Sequence, residues 1–156
     1  MHVALLLKQA DTPSQALLRN IKTYAERHGY GILFFDKNVG ESSDRHVLWS
    51  KIPALYYALA HLSTPYLWWQ DADSLFVLPE RSLESLKPTL PKSLTIAGDH
   101  NCYINSGHFM LRNSSWTYQV AATSVLCSSG RPRYFRTHGT DDHARFWPAP
   151  LLSAQS

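Results

Sequence analysis

Two carboxylates separated by one small residue, Asp71-Ala72-Asp73, close the aromatic run Trp68-Trp69-Gln70. Carboxylates this close repel one another unless a cation lies between them. Hard, oxygen-preferring ions such as Mn2+ or Mg2+ suit that donor type. Ala72 keeps the gap open for a ligand. A second reading stays open on the motif alone, because aspartates on loops are commonly solvated or capping groups. The neighbouring elements decide between the two.

Val3 to Leu7 is a short continuous apolar run and reads as a strand buried on both faces. Thr12, Pro13 and Gln15 form a helix start of capping-box type, after which Leu17, Ile21, Tyr24, Ala25 and His28 share one face until Gly29 ends the helix. Ile32 to Phe35 is the next buried strand, followed by a polar loop, Asp36 to Arg45. A second helix begins near Pro53 with Leu55, Leu59 and Leu62 at helical spacing, and Pro65 separates it from a strand over Tyr66 to Gln70. This alternation predicts parallel strands with crossover helices, in which ligands bind beyond the carboxyl ends of the strands. Asp71 and Asp73 stand at such an end.

Beyond it, Pro79 to Lys92 predicts a short helix flanked by turns, and Thr95 to Gly98 and Phe109 to Arg112 predict strands. Asn113-Ser114-Ser115 caps a last helix in which Trp116, Val120, Thr123 and Cys127 share a face. The expected fold class is α/β, a mostly parallel central sheet flanked by helices. One domain spans residues 1–150, with a frayed tail over 151–156.

Composition sets bounds. At 156 residues, 44% apolar and 17% charged, the chain reads as globular. Its net charge of +3, with basic residues dispersed apart from Arg131, Arg133 and Arg136, is too weak a footprint for nucleic acid. The Val3 to Leu7 run is too short for a membrane span or a signal-peptide core, so a soluble, cytoplasmic chain is expected. Cys102 and Cys127 fit no metal-ligand spacing and read as reduced and structural.

Four ordered segments carry a resemblance: Lys22 to Tyr30 (KTYAERHGY), Trp49 to Leu55 (WSKIPAL), Trp68 to Asp73 (WWQDAD) and Ile104 to Ser114 (INSGHFMLRNS). Together they resemble the galactosyl- and xylosyltransferase family that includes plant xyloglucan xylosyltransferases and fungal mannan galactosyl- and mannosyltransferases. The resemblance covers residues 3–145 and is most specific between Trp49 and Ser114.

It implies the GT-A (Rossmann-like) nucleotide-diphospho-sugar transferase fold. It also implies a metal-dependent, retaining glycosyltransferase that takes a UDP- or GDP-sugar donor and a glycan or other hydroxyl acceptor. In that reading Asp71 and Asp73 hold Mn2+ or Mg2+, and Lys51, Ala72, Ser106 and Gly107 line the donor site. Asn105 bonds a sugar hydroxyl, and Asp141, Asp142 and His143 serve the acceptor and the reacting face of the sugar.

Plainer readings stand beside these: a surface lysine before a helix for Lys51, a tight turn for Asn105 and Gly107, and a helix N-cap for Asp141 and Asp142.

The chain departs from the family at two places. His143 stands where the family has Gln, which adds a group that titrates near neutral pH. Near the end of the chain only Phe146 to Ser156 remain, whereas the family continues to a histidine that completes the metal site. The third ligand is therefore unassigned, with His138 and His143 as substitutes. The family's plant and fungal enzymes carry a Golgi membrane anchor, so a Golgi location applies only to a longer chain.

The shortened acceptor side leaves room for a partner or second subunit to complete it. Two alternatives compete: a haloacid-dehalogenase-type phosphatase, suggested by Asp71-Ala72-Asp73-Ser74-Leu75, and a degenerate protein that binds nucleotide sugars without turnover.

Overall fold

The structure, a computed structural model, describes residues 3–8, 15–35, 49, 51–71, 73–100, 103–127 and 144–147. Six strands form one sheet in the order β4-β5-β3-β1-β2-β6. They are β1 (Val3–Lys8), β2 (Gly31–Phe35), β3 (Tyr66–Gln70), β4 (Leu94–Ala97), β5 (Asn105–Arg112) and β6 (Ala144–Trp147). The helices are α1 (Gln15–His28), α2 (Lys51–His61) and α3 (Ser115–Cys127). The parallel arrangement occupies the centre, where β1 pairs with β2 and β3. Antiparallel strands extend it on both sides, β5 and β4 beyond β3 and β6 beyond β2.

Val3 to Leu6 are wholly buried, as the continuous apolar run requires, because helices cover both faces of the sheet. On one face Val3, Leu5, Ile32, Trp68 and Met110 pack against Ile21, Tyr24 and Ala25 of α1. On the other, Ala4, Leu6, Leu33, Phe35, Leu67, Trp69 and Phe109 pack against Ala54, Leu55, Ala58 and Leu59 of α2 and Ala121 of α3. Each large side chain buried this way contributes about 1.5 to 3 kcal/mol.

The chain runs from β1 out to β2 and then back across to β3 on the other side of β1, with α1 and α2 on opposite faces. Strand order therefore reverses between β1 and β3, where an open α/β sheet forms its ligand crevice.

Helix α1 ends as expected. Gly29 takes φ +67° and the Tyr30 N–H reaches back to the Ala25 carbonyl at 2.9 Å, a left-handed cap that glycine adopts freely. Its predicted start, Thr12 and Pro13, lies outside the described residues. Helix α2 begins at Lys51, two residues before Pro53, because proline is tolerated in the first turn. The short helix expected between Pro79 and Lys92 is Leu83–Leu86, a single 3-10 turn.

Helix α3 buries a different face from the one predicted. Trp116 and Val120 are exposed, and Thr117 and Ala121 point inward. Thr117 fits because its hydroxyl donates to the Arg112 carbonyl at 2.7 Å and also meets the Ser114 N–H in a reciprocal cap. The small inward side chains let α3 pack closely on α2, where the Tyr56 and Tyr118 hydroxyls meet at 2.8 Å.

Candidate active site

The site is built at the carboxyl end of β3. Successive side chains of a strand alternate between faces, so Trp69 and Asp71 share the α2 face while Trp68 and Gln70 share the α1 face. The Trp69 indole N–H donates to Asp71 Oδ1 at 2.7 Å. Gln70 is only 1% exposed. It accepts from the Trp68 indole at 3.2 Å and donates to the Ser74 carbonyl at 3.0 Å. The Asp71 N–H donates to the Gly107 carbonyl at 2.9 Å, and the Ser74 N–H to the Asp71 carbonyl at 3.3 Å. The turn bearing both aspartates is thus fastened before and after. Asp73 lies exposed on its rim, accepting from the Ser74 hydroxyl at 3.3 Å.

Lys51 enters from the first position of α2. Its ammonium donates to the Ser106 carbonyl at 2.9 Å, to Ser106 Oγ at 3.2 Å and to Asp71 Oδ1 at 3.5 Å, and lies 5.7 Å from the centre of a Trp69 ring. With its side chain 12% exposed, it is not the solvated lysine of the plainer reading. An ion pair to a part-exposed carboxylate contributes only about 0 to 1 kcal/mol. Its consequence is therefore chiefly geometric: it ties the end of β3 to β5.

Asn105, Ser106 and Gly107 belong to β5, not to a tight turn. The strand starts four residues before the predicted Phe109, because Gln70 pairs with His108 and carries the ladder toward the polar segment. On the other side the register breaks: Ile96 opposes Phe109, but Ala97 opposes Asn105. The intervening Ser106, Gly107 and His108 thereby arch away from β4 toward Asp71, as irregular strands beside active sites commonly do. Asn105 Oδ1 accepts from the Gly107 N–H at 2.7 Å. A Cβ at Gly107 would stand 2.9 Å from Asn105 Oδ1 and 3.2 Å from Asp71 Oδ2. Glycine keeps the space beside that oxygen clear.

Carboxylate oxygens are the donor type that suits a hard divalent cation. Asp71 Oδ1 is engaged by Trp69 and Lys51 and Oδ2 faces the gap at Gly107, while Asp73, two residues on, is exposed. Among the described residues no third His, Cys, Asp or Glu joins them. Ala72, Asp141, Asp142, His143 and His138 lie outside the described residues.

Sequence reasoning missed the bracing from α1. The Asn20 side chain grips the backbone of Phe76, accepting from its N–H at 2.8 Å and donating to its carbonyl at 3.0 Å. Tyr24 stacks on the Phe76 ring at 3.6 Å and donates to the Arg81 carbonyl at 2.6 Å. Tyr30 donates to Glu84 and accepts from the Leu83 N–H. Burial, with the Glu84 charge nearby, pushes the Tyr24 hydroxyl up to about 12. Burial and the bond to Glu84 raise Tyr30 as well. Burial alone would raise the Glu84 carboxyl, but hydrogen bonds from Tyr30, its own backbone and Ser82, together with Lys87, hold it below the ordinary value. Gln70, an amide inside an apolar strand, signals only its own buried partners, Trp68 and Ser74.

A model of the galactosyl transferase GMA12/MNN10 family matches residues 7–95, more than half of the chain. The chain belongs to this family. Among its relatives is "Probable glycosyltransferase 6" of Oryza sativa subsp. indica, 28% identical over 127 residues, covering 76% of this chain and 26% of that protein. Another is "Galactomannan galactosyltransferase 1" of Cyamopsis tetragonoloba, 26% identical over 125 residues, covering 74% and 28%. The chain therefore spans about a quarter of the length of these relatives.

Among solved structures, a glycosyltransferase involved in the glycosylation of the major capsid of PBCV-1 superimposes with a TM-score of 0.65 at 13% identity, covering 83% of this chain and 68% of that one. That likeness shows the fold, the expected GT-A architecture. Membership in the galactosyl transferase family leaves the phosphatase alternative without support. Among the described residues no helix is long and apolar enough to cross a membrane.

Proposed function

We propose that this family member is the core of a metal-dependent, retaining glycosyltransferase. It moves a hexose or pentose from a UDP- or GDP-sugar to a hydroxyl of a glycan or other acceptor. One observation carries the reading. Three segments distant in sequence, Trp49 to Leu55, Trp68 to Asp73 and Ile104 to Ser114, meet on a single carboxylate, Asp71, through Lys51, Trp69 and Gly107.

In this reading Asp71 Oδ2 and Asp73 hold Mn2+ or Mg2+, which supplies charge neutralisation for a diphosphate leaving group. Trp69 and Lys51 fix the Asp71 carboxylate in one orientation, so little reorganisation is needed when ligand arrives. Lys51 adds positive charge beside the diphosphate, but its three N–H groups already have protein acceptors, so its part is to position rather than to grip. Asn105 spends its carbonyl on the Gly107 N–H, which leaves its NH2 end to meet a sugar hydroxyl. Ser106 and Gly107 form the wall facing the donor. Asp141, Asp142 and His143 take the acceptor side and the reacting face of the sugar, as the resemblance implies.

A screen of common nucleotide sugars for hydrolysis or transfer, with Mn2+ and with Mg2+, tests the proposal. Turnover of at least one donor is expected, lost on metal chelation and in Asp73→Ala. A well-folded protein that turns over none of them would favour the binding-only alternative.

A further inference from the structure

Tyr103 combines two features that oppose one another. Its backbone takes φ +61°, the left-handed region in which a bulky side chain crowds its own carbonyl, and its ring is 90% exposed to solvent. Among the described residues it is alone in adopting positive φ without being glycine. The conformation closes a turn in which the Tyr103 N–H donates to the Asp99 carbonyl at 3.0 Å. Glycine would serve that turn better, and burial does not explain the tyrosine. Strain of this kind is retained where a side chain must be presented, and it clusters at ligand sites.

Tyr103 stands two residues before Asn105, at the end of β5 that arches toward Asp71. Ile104 beside it is 59% exposed. An exposed aromatic ring therefore stands two residues from Asn105 of the candidate site.

We propose that Tyr103 is a stacking platform for the C–H face of a pyranose ring. The inference deepens the sugar-transfer reading and rests on it for the chemistry of the ligand. A phenol ring offers a rigid apolar face with few torsions to freeze, and its hydroxyl stays in water or meets a sugar hydroxyl. The same chemistry is presented by the donor's sugar and by a glycan acceptor, so the test separates them.

Tyr103→Phe and Tyr103→Gly are compared with the unaltered protein in titrations with UDP, with UDP-galactose and with oligosaccharides of galactomannan and xyloglucan, all in the presence of Mn2+. Melting temperature is read in parallel. Tyr103→Gly is expected to weaken one sugar class about tenfold or more, to leave UDP unchanged and to melt no lower than the parent, since the strain is gone. Weakened UDP-galactose marks the donor sugar, and weakened oligosaccharide marks the acceptor. Tyr103→Phe keeps the ring and is expected to bind like the parent.

The platform is overturned if Tyr103→Gly binds every sugar as the parent does, if UDP weakens equally, or if the parent binds no sugar. Oligosaccharide binding that depends on Tyr103, in a parent that binds neither UDP nor UDP-galactose, would uphold the platform and count against the nucleotide-sugar reading.

Discussion

On one face of β3 the Trp69 indole donates to Asp71; on the other the Trp68 indole donates to Gln70. Both join residue i to residue i+2 along the same stretch of chain, yet they end differently. Asp71 opens onto the rim, with Lys51 at one oxygen and the Gly107 gap at the other. Gln70 is sealed in and spends its second hydrogen bond on Ser74. In the proposed reading one face offers charge to a ligand, and the other holds the turn that carries it. Function and support are thus divided by the alternation of a single strand.

Changes on the two faces should therefore separate in what they damage. Asp71→Asn keeps an acceptor for Trp69 but removes the charge, and it is expected to slow sugar transfer about 100- to 1000-fold with little change in melting temperature. Steady-state kinetics beside a thermal melt reads both.

Gln70→Leu strands the Trp68 N–H and the Ser74 carbonyl and should cost about 2 to 4 kcal/mol of stability, measured by urea unfolding. Loss of stability without loss of turnover in Asp71→Asn, or the reverse in Gln70→Leu, would break the division. Lys51→Met sharpens it further. If Lys51 positions Asp71, removing its charge should strengthen Mn2+ binding about threefold while weakening nucleotide-sugar binding. Unchanged Mn2+ affinity would mean that Lys51 does not act through Asp71.

The smallest effect is a pH dependence of the support face. Glu84 lies below its ordinary value when folded, so its stabilisation is full above the usual carboxylate range and is lost as pH falls through the folded value. Tyr24 is raised instead, so its contribution is complete below pH of about 10 and fades as pH rises toward about 12. Glu84→Gln should flatten the acid limb of a stability profile, and Tyr24→Phe the alkaline limb.

Much of this architecture was legible in the sequence. Tyr66 to Gln70 is bounded by Pro65 and Asp71, so the strand carrying the motif was read to the residue. The stripe of Ile21, Tyr24 and Ala25 likewise pointed α1 at the sheet. Helix α3 misled because two of the apolar residues on its expected face, Trp116 and Val120, face outward. Thr117 turns inward by virtue of a hydrogen bond to Arg112 that no periodicity reveals. The start of β5 was hidden because Asn105, Ser106 and Gly107 are polar or small: the ladder with β3 stops at His108, and Asn105 is tied in through Ala97 of β4.

At the site, Asp71 and Asp73 stood out as a pattern. The bonds that orient Asp71 come from Lys51, about twenty residues away, and from β5, more than thirty away, and such meetings are set by topology.

The most direct test of the account is calorimetric titration with UDP- and GDP-sugars, in Mn2+ and in chelator, of the unaltered protein and of Asp71→Asn/Asp73→Asn. Binding of at least one nucleotide sugar that requires Mn2+ and vanishes in the double variant, whose melting temperature is preserved, is the predicted result. Equal binding without metal, or undiminished binding by the double variant, would contradict it.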